Sequence, residues 1–119
     1  MKEIMAIIRP GKDKETKEAL AKIGCSAMTT VRVLGRGKQR GLRYSAFSGD
    51  SKVPQFVLMK YLPKKMLYLV VNDRQFKPVL QAIIRVNQTG QYGDGKIFVI
   101  ETKEVCRIRT GETGEVAIR

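Results

Sequence analysis

The apolar positions of this chain fall into short unbroken runs and helical stripes that alternate along its length. Ile4, Met5, Ala6, Ile7 and Ile8 form a run between Lys2 and Arg9, bounded by Pro10 and Gly11, and read as a strand buried on both faces. Asp13 is placed to cap a helix after it, because Thr16, Ala19, Leu20 and Ile23 recur at i, i+3, i+4, i+7 until Gly24 stops the pattern. Lys14, Lys17, Glu18 and Lys22 take its wet side. Residues 28–34 carry the β-branched stretch Thr29, Thr30, Val31 and Val33, a second strand ending at Gly35. From Gly35 to about Lys60 no period holds, and glycines, Pro54 and cations predict a long loop of the kind that in compact domains usually serves a function. Pro63 opens a third strand through Met66, Leu67, Tyr68, Leu69, Val70 and Val71, closed by Asn72 and Asp73. Phe76, Val79, Leu80, Ile83 and Ile84 mark a second helix, with Pro78 expected in the first turn, where its missing donor does little harm. Residues 88–95 break it, Ile97 to Ile100 form a fourth strand, and Val105 to Ile108 a short fifth segment.

The order β-α-β, long loop, β-α-β is that of an α+β, ferredoxin-like βαββαβ sandwich, one antiparallel sheet with both helices on one face. Because the first and third strands read apolar on both sides, the sheet's other face is expected to be covered by another subunit.

Composition narrows the function. At 119 residues the chain fits one domain, and with 43% hydrophobic and 29% charged residues it needs no disulfide framework. Its two cysteines, Cys25 and Cys106, lack CxxC spacing and are expected to be buried small hydrophobes in a reduced, cytoplasmic protein. There is no histidine, which excludes His-based acid–base, Ser-His, Cys-His and phosphohistidine chemistry. The opening run is too short for a signal peptide, and no apolar stretch approaches the roughly 20 residues of a membrane span. Lys and Arg number 23 against 11 Asp and Glu, a net charge of +12, with a pI of about 10.1. Such a charge favours anionic partners without choosing among nucleic acid, nucleotides, carboxylates and acidic proteins.

Three segments carry candidate anion chemistry. Gly90-Gln91-Tyr92-Gly93-Asp94-Gly95-Lys96 spaces glycines so that backbone N–H groups can converge on a phosphate beside a lysine. It is no Walker loop: Ile97 stands where magnesium needs Ser or Thr, and the order is helix then strand. A plain helix-to-strand turn explains the same glycines. Gly35-Arg36-Gly37-Lys38-Gln39-Arg40-Gly41 makes a cationic loop base that fails the dinucleotide spacing. Arg107 and Arg109, alternating on one side of an extended segment, would make a two-guanidinium clamp, or else a solvated basic edge.

Taken together these residues resemble the PII family of nitrogen-regulatory signal proteins over nearly the whole chain. MKEIMAIIRP resembles the family's first strand, GRGKQRG its T-loop base, TGQYGDGKIF its B-loop and RIRTGE its C-loop. The resemblance implies one PII-like domain over residues 1–119, with a T-loop at about 37–60, a B-loop at 89–96 and a C-loop at 107–112. It implies a trimer, homomeric or mixed with a paralogous chain, whose intersubunit clefts bind ATP or ADP, with 2-oxoglutarate joining MgATP, and whose T-loops dock on a target. By position, Gly93, Asp94, Gly95 and Lys96 would hold phosphates, reached by Arg107 and Arg109 of a neighbouring subunit. Thr29, Gly35, Gly37 and Lys38, the last replacing a usual Arg, would complete the nucleotide pocket. Gln39 would help coordinate magnesium and contact 2-oxoglutarate together with Gly41, and Lys64 would pair with its carboxylate. Tyr68 stands where many members carry a ribose-contacting Glu. The long T-loop has no clear counterpart of the modified tyrosine, Tyr44 and Ser48 being the nearest, so no uridylylation is expected.

GRGKQRG and the ending RTGETGEVAIR are more similar to the nitrogen-fixation-associated NifI subtype, which implies a nitrogenase-directed role in which 2-oxoglutarate with ATP relieves inhibition. Ligand would act by shifting which loop conformations dock. Arg36, Lys38, Arg40, Arg43, Lys52 and Lys60 would favour an acidic docking face. Against this stand two other classes: a ferredoxin-like nucleic-acid binder, which offers only Phe98 and Tyr68 for base stacking, and a phosphotransfer enzyme, for which no nucleophile has an adjacent base. The protein is therefore expected to be a regulator with at most incidental, slow ATP hydrolysis.

Overall fold

The computed structural model describes residues 1–38 and 61–119 in full and, between them, the backbone of two strands. Strand β1 (Lys2–Ile8) leads through a 3-10 turn at Pro10–Lys12 into helix α1 (Asp13–Lys22), then β2 (Thr29–Gly35). Strands β3 (Leu42–Ala46) and β4 (Gln55–Met59) precede β5 (Leu62–Val71), helix α2 (Asp73–Asn87), strand β6 (Lys96–Glu101) and a terminal 3-10 turn at Gly114–Ile118. The main sheet has the order β2-β5-β1-β6, every pair antiparallel, which is the ferredoxin-like α+β arrangement.

Local chemistry sets the helix ends. Pro10 holds Arg9 extended (φ −66°, ψ 140°), as a residue before proline must be, and starts the turn that feeds α1. Asp13 does not cap α1: Lys12 occupies that position without a side-chain bond. The Asp13 carboxylate instead meets Lys17 at 3.0 Å and Lys65 at 3.8 Å. Helix α1 ends in a Schellman motif. Gly24, at φ +81°, donates to Ala21 O at 3.0 Å, and Cys25 donates to Leu20 O at 2.9 Å. Helix α2 is capped by Asn72, whose side chain accepts from the Gln75 N–H at 2.9 Å. Pro78 lies inside this helix, past the first turn, so it removes a real helical donor to the Arg74 carbonyl.

Both helices cover the sheet face bearing Ile4, Ala6, Ile8, Leu67, Leu69 and Val71, and Leu20, Val79, Ala82 and Ile83 complete the core. Asn87 bridges the helices, donating to Thr16 Oγ1 at 3.0 Å, while Thr16 donates to Lys12 O at 2.7 Å. Two expected core residues are not there: Ile23 and Ile84 are each 42% exposed, because α1 ends just before Ile23 and α2 presents Ala82, Ile83 and Asn87 inward. Cys25 is buried, and Cys106 is exposed rather than buried.

The other face of the sheet carries Met5, Ile7, Met66 and Val70, with Val31, Phe98 and Ile100 between 43% and 50% exposed. Neither helix touches it.

The expected long loop contains secondary structure. β3 and β4 pair antiparallel in a separate two-stranded ribbon, Leu42 opposite Met59 and Ala46 opposite Gln55. The apolar run Phe56-Val57-Leu58-Met59 supplies the β-formers that pairing requires. The short fifth segment expected at 105–108 is not a strand. In its place Cys106 makes a single bridge to Thr113 around a turn.

Candidate functional site

The glycine-rich segment between α2 and β6 closes around one carboxylate. Asp94 accepts from the Thr89 N–H (2.7 Å), the Gly90 N–H (2.9 Å) and the Thr89 hydroxyl (2.5 Å). These bonds, the Thr89 side chain first, and then Arg9, hold its carboxyl well below the usual carboxylate range. Their contribution to loop order is therefore fully present above the ordinary Asp pKa of about 3.9 and is lost only as pH falls into strong acid. Asp94 was expected to hold phosphate, but its charge is turned into its own loop. Gly93, Gly95 and Lys96 remain for an anion.

Two cations fasten this loop to the sheet. Arg9 donates to Asp94 Oδ1 at 2.6 Å and to Tyr92 O at 2.9 Å, and Lys64 donates to Gly93 O at 2.5 Å. Burial, and then the neighbouring Arg9 guanidinium, push the Lys64 ammonium pKa down, so this lysine gains from any further anion beside it. Gly95 sits at φ +105°, and a Cβ there would lie 1.8 Å from Ile7 O, so only glycine lets the loop rejoin the sheet against β1.

Gly35, at the end of β2, lies beside this group; a Cβ on it would meet Lys64 Cγ at 3.3 Å. Gly37 and Lys38 follow it, exposed. At the loop base Arg36 lies over the Tyr61 ring at 5.2 Å. Gln39, Arg40, Gly41, Ser48, Lys52 and Lys60, and the side chains of Arg43 and Tyr44, lie outside the described residues.

Thr29 is not part of this cluster. It begins β2 opposite Tyr68, six residues before Gly35, a separation of roughly 20 Å at about 3.3 Å per residue. Tyr68 lies on the uncovered face, and the neighbouring Glu3 carboxylate pushes its hydroxyl pKa up.

Arg107 and Arg109 do not form the expected clamp either. Gly111 (φ +74°) turns the chain, its N–H donating to Arg107 O at 2.7 Å. The Arg107 guanidinium reaches Glu112 Oε2 at 2.6 Å, Val116 O at 2.8 Å and Arg119 O at 3.0 Å, while Arg109 is exposed. The segment departs after β6, whereas the glycine loop enters β6.

The model of the family described as nitrogen regulatory protein P-II matches residues 1–112. The chain belongs to the P-II family. This P-II chain is 49% identical to the nitrogen fixation nifHD1 region GlnB-like protein 2 of Methanosarcina barkeri, with all of both chains covered. In one strain of Methanococcus maripaludis it is 50% identical to the nifHD region glnB-like protein 2, covering 99% of this chain and 100% of that one. To the glnB-like protein 1 of that strain it is 41% identical, covering 96% and 99%.

The expected site residues thus divide on one chain. Gly35, Lys64, Gly93, Gly95 and Lys96 gather at one end of the sheet, while Thr29 lies at the other end of β2 and the two arginines follow the far end of β6. Arg9 and Thr89, which hold the first group together, were not legible beforehand. The register pairs Ile7 with Lys96, which two residues further on sets Arg9 opposite Asp94, and the sequence gives no sign of that register.

Proposed function

We propose that this protein is a nitrogen-regulatory P-II signal protein that binds ATP or ADP between subunits of a trimer and 2-oxoglutarate beside MgATP. The observation that carries the reading is the division of the P-II residues into two groups. Thr29 and Gly35 are too far apart on one β2 for one nucleotide base and sugar to meet both, so a shared ligand needs two copies. The uncovered apolar sheet face supports the same assembly. Gly93, Gly95 and Lys96 would receive phosphates, with Gly35, Gly37 and Lys38 at the loop base, and Arg107 and Arg109 would come from a neighbour. Magnesium would be held by phosphates, the oxo-acid and Gln39. Lys64, partly buried beside Arg9, would take a 2-oxoglutarate carboxylate, with Gln39 and Gly41 completing that contact.

The names of the relatives support an association with nitrogen fixation; in this reading nitrogenase is the target of the T-loop and a paralogous chain a partner in mixed trimers. The role is regulatory, any ATP hydrolysis being incidental. Calorimetric titration of 2-oxoglutarate, with and without MgATP, on wild type and Gln39→Ala tests it. Heat that requires MgATP and disappears in the variant is the expected result; 2-oxoglutarate heat that is absent under both conditions overturns it.

A further inference from the structure

We propose that a basic groove where β2 and β5 end, beside the base of the T-loop, is a docking site for an acidic segment of a partner protein that carries an apolar side chain. The proposal rests on the reading of this chain as a regulator that docks on a target.

A cavity of about 570 Å³ opens there, with Pro10, Arg32, Leu34, Pro63 and Lys65 among its lining. Register explains its walls. Arg32 stands opposite Lys65 and Leu34 opposite Pro63, and residues directly opposite in an antiparallel pair project from the same face. That face is the one under the helices, because Leu67, two residues beyond Lys65, belongs to the core. Helix α1 starts only at Asp13, so this end of the sheet lies past its cover, and Pro10 supplies the remaining wall.

Folding alone does not account for these residues. Like charges directly opposite each other across a strand pair repel and weaken it. Asp13 offsets the Arg32 and Lys65 pair only in part, lying 3.8 Å from Lys65 but 3.0 Å from Lys17. Arg32 is exposed and makes no ion pair among the described residues. Leu34, which lines the same cavity, is 70% exposed. Carboxylates on a docked segment would neutralise the two cations, and an aliphatic side chain would cover Leu34, Pro10 and Pro63. Nucleic acid fits less well: its phosphates would meet the cations, but no aromatic side chain lines the groove for a base to stack on.

The position suits a target already held by the T-loop. Leu34 and Pro63 adjoin Gly35 and Leu62, the pair at which β2 and β5 part. A second contact so close to the first acts at high effective concentration, so even a weak one strengthens docking. The groove is also on the opposite side of the sheet from Met5, Met66 and Phe98, so a trimer closed through that face leaves it open.

The experiment titrates the full chain with a capped pentapeptide, Glu-Glu-Leu-Glu-Glu, following backbone amide shifts by NMR. Shifts clustered at residues 32–34 and 63–65 are expected in wild type. Arg32→Glu sets a carboxylate opposite Lys65, so it is expected to raise the thermal midpoint while weakening the peptide about tenfold or more, the scale of losing a charged contact. Leu34→Ser, or glycine in place of the peptide's leucine, is expected to weaken binding severalfold, with ATP affinity unchanged in both variants. No shifts at these residues, unchanged affinity in Arg32→Glu, or equal affinity for the leucine and glycine peptides each overturns the proposal. So does a single-stranded oligonucleotide that displaces the peptide from these residues at equal concentration, which would assign the groove to nucleic acid. Wild type that binds the peptide but neither ATP nor 2-oxoglutarate refutes the P-II signalling reading while leaving the groove's ligand class established.

Discussion

At the scale of single residues, two glycines with similar backbone angles have different reasons to be glycine. Gly24 (φ +81°) ends α1 with nothing within 4 Å of where a Cβ would stand, whereas at Gly95 (φ +105°) that atom would collide with Ile7 O. Gly24→Ala is expected to cost about 1 kcal/mol, the penalty of a left-handed alanine. Gly95→Ala adds a clash that only separating β6 from β1 relieves, and a loss of more than about 3 kcal/mol is expected. Denaturant unfolding of both variants measures the difference; equal losses would mean that the loop yields without disturbing the sheet.

At the scale of elements, legibility followed the range of the interactions. Helix α2 was readable because its apolar stripe is local; its cap, Asn72 accepting from the Gln75 N–H three residues on, lies where the sequence reading placed only the end of a strand. Asn72→Ala is expected to lower stability by about 1 kcal/mol in thermal or denaturant unfolding, with no change in nucleotide affinity. The ribbon of β3 and β4 escaped notice because its two strands pair with each other in a sheet of their own, and residues 42–46 and 55–59 carry no strict alternation of apolar and polar positions to announce it. The extended backbone expected around the two arginines is absent for a similar reason. Alternation places Arg107 and Arg109 on one side only if the backbone is extended, and Gly111 with Glu112 makes it a turn in which Arg107 is already engaged.

At the scale of the whole molecule, the sheet has one face under helices and one without them. Phe98 lies opposite Met5 on the second face, 50% exposed in the single chain. Burying a charge there without a partner is costly, so in the proposed trimer Phe98→Arg is expected to shift sedimentation toward monomer and to weaken the proposed ATP binding with it. Wild type sedimenting as a 13.4 kDa species would remove the basis for intersubunit clefts.

The chain by itself determined the order of the four main-sheet strands and two helices, the lack of any histidine and the segments expected to meet anions, because these depend on local spacing and residue type. Family motifs also lie in the sequence and point to the same segments. Only the tertiary structure decided what each charge does there. Register set Arg9 against Asp94 and turned that carboxylate inward, the length of β2 separated Thr29 from Gly35, and a turn drew Arg107 to Glu112. Each of these is a contact or distance between residues whose relative position is fixed by how strands pair and chains reverse, information that no local pattern of apolar and polar residues contains.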